Sequence, residues 1–251
     1  MRAIWTGAIG FGLVNIPIKL FSATQDSRLD FDMLDRKDHA KIKYQRVNEN
    51  TGKEVDWDHI VKGYLLNDQY IILEDTDFEE ASPEKTKMIN IQSFVKEKDV
   101  DSMYFETPYY IEPQKGGQKA YHLLVKALSK AEMVGLATFV MRAGENLCMI
   151  RAKDNMLVLN KLRFEEEIRS PEDLEIPNNI KLTKAEMDMA LELVKHHSTT
   201  FNVENYKDEY KGELLKIIKE RAKGKRPKVR KMKVKATRTN DLLEQLKASL
   251  G

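Results

Sequence analysis

The sequence has a single cysteine, Cys148, in 251 residues. It therefore cannot form an internal disulfide, which excludes the disulfide-stapled secreted scaffolds. Cys148 lies in the apolar run Asn146-Leu-Cys-Met-Ile150, where a small buried hydrophobe is expected and a reducing cytoplasm fits best. Zinc-type spacing is missing as well. His39, His59, His122, His196 and His197 fall in no HExxH or Cys/His pattern, so neither a metal nor any other cofactor is expected. Long apolar runs are absent too. The most apolar stretch, Ala3 to Ile16, is interrupted by Thr6, by Gly7, Gly10 and Gly12 and by Asn15, and Pro17 and Lys19 follow it. That is too short and too polar for a membrane span, which needs about 20 apolar residues, and a signal peptide is not expected either. Two buried strands meeting near Gly10-Phe11-Gly12 are the better reading. The same Gly7-Ala-Ile-Gly10-Phe-Gly12 run lacks both the Walker lysine and the dinucleotide spacing.

Acid is missing from one place in particular. Between Arg221 and Arg238 ten of eighteen residues are Lys or Arg and none is Asp or Glu. The formal net charge of the whole chain is only +2. The thirteen residues after Arg238 sum to −1, which leaves −7 for everything up to Glu220. An acidic body is thus joined to a basic strip. Such a strip repels itself and cannot bury enough apolar surface to fold, so it is expected to be disordered without a polyanion. Duplex DNA is the densest common one, with a phosphate charge roughly every 1.7 Å of axis. On charge alone RNA, an acidic membrane surface, a solvated tail and a localisation signal stay open.

What is present suffices for a sizeable core: 41% hydrophobic residues, including nine Phe, nine Tyr and two Trp. Residues 1 to about 165 read as β-rich. Short apolar or alternating runs recur at 3–9, 13–21, 41–47, 70–73, 88–91, 109–111, 134–141, 147–152 and 156–162, with turn signals at Asn50-Thr51-Gly52, Gly116-Gly117 and Asp154-Asn155. Many short strands so spaced imply a barrel or sandwich. Residues 118–130 interrupt them with a helix whose apolar face is Ala120, Leu123, Leu124, Ala127 and Leu128. After Phe164 a polar connector leads to a signposted helix. Thr183 and Glu186 have capping-box spacing, Leu182 and Met187 occupy the staple positions, and period continues to about His196. A second amphipathic helix is expected from Asn202 through Tyr206, Tyr210, Leu214, Ile217 and Ile218, with Gly224 as its stop. Residues 241–250 form a leucine-rich unit too short to hold a helix alone. Leu242, Leu243, Leu246 and Leu250 therefore need a surface, either a partner's groove or this protein's own core.

Catalytic machinery is not evident. Glu74-Asp75-Thr76-Asp77 and Glu165-Glu166-Glu167 could hold magnesium in a nuclease, but solvated turns and helix starts explain them better. In Lys41-Ile-Lys-Tyr-Gln-Arg-Val47, strand alternation sets Lys41 and Lys43 on one face and Ile42 and Tyr44 on the other, with Arg46 on the apolar side. The run is either an ordinary half-exposed strand or a basic one that tracks a phosphate backbone.

A set of longer motifs runs in order along the chain: Arg2-Ala-Ile-Trp-Thr-Gly-Ala-Ile-Gly-Phe-Gly-Leu-Val-Asn-Ile-Pro-Ile-Lys19, Val61-Lys-Gly-Tyr64, Tyr104-Phe-Glu-Thr-Pro-Tyr-Tyr110, Lys119-Ala-Tyr121 with Leu123-Leu124, Glu167-Ile-Arg169, Phe201, and Tyr206-Lys-Asp-Glu-Tyr210 with Leu214 and Ile218. With these motifs the chain resembles the bacterial Ku family, the DNA-end-binding proteins of non-homologous end joining. The likeness runs from Arg2 to about Arg221. Asp241 to Leu250 is similar to the family's distal tail.

The resemblance implies an α+β, mainly β fold: a β-barrel core at 1–175 with a bridge region at about 30–65, a helical arm at 176–221, and a basic tail at 222–251. It implies a non-enzymatic homodimer, located in the cytoplasm with the nucleoid, whose barrels and bridging arms ring a double-stranded DNA end. Its partners would be DNA ends and an ATP-dependent DNA ligase, with no membrane involved. Lys41, Lys43 and Arg46 would then face DNA, joined by charge alone by Arg221, Lys223, Lys225, Arg226, Lys228, Arg230, Lys231, Lys233, Lys235 and Arg238. The four terminal leucines would meet the ligase. Some family members carry cysteines near the turn at 48–52, and this chain has none there, so no metal is implied. The alternatives are a metal-dependent nuclease built on the acidic clusters and a general nucleic-acid-coating protein.

Overall fold

Alternating apolar residues make the first two strands. β1 (Trp5–Phe11) and β2 (Val14–Ser22) form a hairpin whose two-residue turn, Gly12-Leu13, has glycine at φ +58°. A side chain is strained in that left-handed region, which glycine enters freely. The structure, a computed structural model, describes residues 1–81, 87–141, 144–177, 180–225, 244, 246 and 249. The chain then leaves the barrel and returns in β5 (Met88–Val95), after the hairpin β3 (Lys62–Leu66) and β4 (Gln69–Leu73) and the short α1 (Asp75–Ala81). β6 (Phe105–Pro113), α2 (Gln118–Ala131), β7 (Val134–Met141), β8 (Gly144–Lys153) and β9 (Met156–Leu162) complete it. The strands close in the order β1-β2-β6-β9-β8-β7-β5.

One seam of this barrel is parallel. β1 and β5 align Ala8 with Met88, Ile9 with Ile89 and Gly10 with Asn90, and every other pairing is antiparallel. The backbones meet so closely there that a Cβ on Gly7 would overlap the Lys87 carbonyl and the Trp5 ring. The Ala8 amide donates to that same carbonyl at 2.7 Å.

Period-two alternation fills the interior. Ile9, Ile16, Ile18, Leu20, Ile89, Phe139, Cys148, Ile150, Leu157 and Leu159 are all buried in one cluster. Burial pushes the Cys148 thiol well above its ordinary pKa, which makes it an inert hydrophobe. The opposite face of β7–β9 carries a second cluster, Val134, Met149 and Leu162, covered in part by Val100 and Tyr104.

Helix α2 joins the main cluster through Tyr121, Leu124, Val125 and Leu128, while Leu123 is exposed. The buried stripe is therefore rotated from the all-aliphatic one expected from sequence, because Tyr121 satisfies its polar end inside. Its hydroxyl donates to the Ile111 carbonyl (2.8 Å) and accepts from the Leu157 amide (2.7 Å). Ile111 and Leu157 are register partners at the end of the β6–β9 ladder, so one side chain completes the ladder and pins the helix to it. Burial raises the phenol's pKa, which keeps it a donor.

By internal contacts the chain separates into residues 1–27 with 31–170 and residues 28–30 with 171–251. In the second unit α3 (Lys184–His197) begins at the capping box its sequence announces. The Glu186 amide donates to Thr183 Oγ1 at 3.3 Å and the Thr183 amide to Glu186 Oε2 at 2.7 Å. The hydrogen bonds from Thr183 hold the Glu186 carboxyl below its usual pKa. The next helix starts later than periodicity suggested. Residues 203–205 are a single 3₁₀ turn, and α4 (Glu209–Ala222) begins only where Asp208 caps the Lys211 amide at 2.9 Å. Asn202 caps its own short turn by accepting from the Glu204 amide, and that local bond ends the helical run. Gly224, at φ +74°, closes α4 by donating to the Arg221 carbonyl at 2.9 Å.

Replacing Tyr121 with Phe keeps the ring but strands the Ile111 carbonyl and the Leu157 amide. We expect a loss of about 1–3 kcal/mol in denaturant unfolding. Unchanged stability would show that the hydroxyl does not tie α2 to the ladder.

Candidate nucleic-acid interface

The 60-odd residues between β2 and β5 follow a different rule from the barrel. Among the described residues from 24 to 81 none is buried. Local polar bonds, rather than a core, shape this arm. Asp35 Oδ1 accepts from the Lys37 amide (2.7 Å), Asp38 Oδ1 from Ala40 (2.9 Å), and Asn48 Oδ1 from both Asn50 and Thr51 (3.0 Å each). These are side-chain-closed turns.

They also correct the expected strand at 41–47. Instead of a continuous ladder, the run makes one bridge on either side, Leu34 with Lys41 and Val47 with Glu54. Each turn claims the backbone at one end of it, so no partner strand runs along its middle. Lys41 lies 2.8 Å from the Asp32 carboxylate in an exposed pair, which is screened by solvent and costs little to open. Lys43 is exposed. The placement of Arg46 on the apolar side has a partner: its guanidinium sits 3.9 Å from the Trp57 ring centroid, a cation–π contact.

Sequence reasoning anticipated the strand at 70–73, which is β4, but missed Trp57, β3 and the hairpin that β3 and β4 form. Asn67 and Asp68, at φ +48° and +63°, make its tight turn, and that Asn-Asp pair between apolar runs was the available signal. The register pairs Tyr64 with Ile71 and Leu65 with Tyr70, which puts Tyr64, Leu66 and Ile71 on one face and Leu65, Tyr70 and Ile72 on the other. All six are exposed. Lys62 stands 4.2 Å over Phe78 and 3.4 Å from Asp75.

The acidic runs that suggested a magnesium site are used locally. Asp77 accepts from the Glu74 amide and Glu167 from the Phe164 amide, both at 2.7 Å, so each run starts a helical turn. Among the described residues no three His, Cys, Asp or Glu converge as a metal cluster.

Of the basic strip, Arg221 lies in the last turn of α4, Lys223 is its cap and the Lys225 amide donates to the Glu220 carbonyl at 3.0 Å. Arg226, Lys228, Arg230, Lys231, Lys233, Lys235 and Arg238 lie outside the described residues, as do Leu242, Leu243 and Leu250, and Leu246 is helical. Among the described residues no helix is long and apolar enough to cross a membrane.

Comparison with known proteins adds a relationship to this geometry. The Ku70/Ku80 beta-barrel domain family model matches residues 10–189. A non-homologous end joining protein Ku from Coxiella burnetii is 36% identical, over 99% of this chain and 94% of its own. One from Archaeoglobus fulgidus is 38% identical over 100% and 98%, and one from Cupriavidus necator 41% over 88% and 67%. The closed barrel, the arm inserted after its second strand and this likeness along nearly the whole length place the chain in the Ku family.

Proposed function

We propose that the protein binds double-stranded DNA ends, without regard to sequence, as a ring-shaped homodimer in non-homologous end joining. It is non-catalytic: it protects and bridges breaks and recruits an ATP-dependent DNA ligase. The family relationship over nearly the full chain carries this reading.

The arm supports it physically. A two-stranded hairpin is at best marginal in water, yet β3–β4 shows apolar side chains on both faces. A second copy brings the same hairpin to a two-fold axis, and the two arms bury each other. In this reading the barrel core (1–175) supplies the rigid frame and residues 30–65 the bridge, with Lys41, Lys43 and Arg46 toward the phosphates. The helical arm (176–221) and tail (222–251) extend the grip, with Arg221, Lys223, Lys225, Arg226, Lys228, Arg230, Lys231, Lys233, Lys235 and Arg238 adding counterion-releasing contacts. Leu242, Leu243, Leu246 and Leu250 dock the ligase. The protein resides with the nucleoid. Phosphate contacts position without reading bases, and a closed ring enters only where the duplex stops.

Two outcomes test this. Ile71→Asp and Ile72→Asp, one on each hairpin face, should convert dimer to monomer in sedimentation. Unfolding of the barrel should shift by no more than about 0.5 kcal/mol, because neither side chain touches the core. A dimer that survives both substitutions contradicts an arm-built ring. Second, bulky blocks added to both ends of a loaded linear duplex should trap the protein against high salt; loss as fast as from open ends removes the ring.

A further inference from the structure

The arm carries an aromatic face that gripping a duplex does not require. Beside the Val47–Glu54 bridge the Val55 amide donates to the Arg46 carbonyl at 2.9 Å, and the chain then enters a 3₁₀ turn at Trp57–His59. The Arg46 guanidinium lies over the Trp57 ring, 3.9 Å from its centroid, and Tyr44 precedes Arg46 by two residues. The Glu54 carboxylate is engaged elsewhere, since Gln45 Nε2 donates to Glu54 Oε2 at 3.2 Å.

Those rings are open. Trp57 is 69% exposed even with Arg46 on it, and Tyr44 is 79% exposed, its hydroxyl resting on Met33 Sδ at 3.4 Å. From Arg36 to Arg46 the chain holds five cations against one carboxylate, a local charge of +4. Two exposed rings, one of them with an arginine stacked on it, in a cationic stretch match the chemistry that holds a single nucleic-acid strand. There, aromatic faces stack on bases while cations follow the backbone. Bases inside a duplex offer grooves only their edges. A ring face is of use only to a base that has left the stack.

We propose that Tyr44, Arg46 and Trp57 form a stacking site for the unpaired bases of a DNA terminus, a single-stranded overhang or a frayed end. The inference rests on the DNA-end reading and adds to it a second mode of contact, to bases rather than phosphates. A second copy of this chain is the competing occupant of the face.

The protein carries its own reporter. It has two tryptophans. Trp5 is held in the barrel, with its indole N–H donating to the Val140 carbonyl at 3.1 Å and its ring edge-on to Phe139 at 5.9 Å. Quenching by bases therefore reads Trp57. The full-length protein is titrated with a blunt duplex and with the same duplex bearing a short 3′ oligothymidine overhang. The overhang should quench tryptophan emission beyond the blunt duplex, and Trp57→Phe should abolish that extra signal while keeping the affinity. Trp57→Ala should weaken binding of the overhang substrate by about five- to tenfold and that of the blunt duplex by less than about twofold.

If wild-type protein binds and quenches both substrates alike, or Trp57→Ala weakens both equally, the stacking site is overturned and DNA-end binding stands. If Trp57→Ala dissociates the dimer in sedimentation, the face belongs to a second copy and the proposal is again overturned. Failure to bind either duplex overturns the DNA-end reading itself.

Discussion

The parallel seam between β1 and β5 is the constraint on which the rest depends. An antiparallel neighbour of β1 could follow a tight turn, as β2 does, but a parallel neighbour must be reached by a long connection. Closing the barrel at Ala8–Met88, Ile9–Ile89 and Gly10–Asn90 therefore obliges the chain to leave after Ser22 and come back at Met88. The arm occupies that detour. Gly7 permits the seam, since no larger residue fits against the Lys87 carbonyl there. Across the barrel Tyr121 completes the β6–β9 ladder. The closed, densely filled frame these features build lets a coreless insertion project from it without endangering the fold.

The barrel was legible in the sequence because its strands are short, alternating and punctuated. Residues 134–141 and 156–162 were delimited to the residue, and the hairpin at Gly12 and the turn at Asp154-Asn155 follow from local chemistry alone. So does the capping box at Thr183. Three features were hidden, each for a physical reason. The strand expected at 41–47 fails because Asp35, Asp38 and Asn48 bind nearby amides more readily than a distant strand can. The buried stripe of α2 includes Tyr121, whose hydroxyl looks polar until its two backbone partners are known. The helix expected from Asn202 waits until Asp208, because Asn202 closes a turn of its own.

The arm was the least legible part, and it bears most of the functional argument. Its basic residues could be named from sequence, but the role of Arg46 could not. On the apolar side of a strand pattern it looked like an imperfection, and only its position over Trp57 gives it a purpose. The pairing of β3 with β4 was likewise hidden, as was the exposure of apolar side chains on both faces of that hairpin. Charge is divided in parallel: an acidic body up to Glu220 and cations gathered after it. That division favours approach of a polyanion to chosen surfaces and discourages it elsewhere.

The central claim is that topology, rather than a sequence-reading site, selects DNA ends. It is tested most directly by measuring affinity for a linear duplex and for a covalently closed circle of identical sequence at the same salt. A ring that must be threaded predicts salt-resistant complexes on the linear molecule and only weak, salt-labile binding to the circle. Equal affinity for the two would contradict the account and leave a protein that coats DNA wherever it meets phosphate.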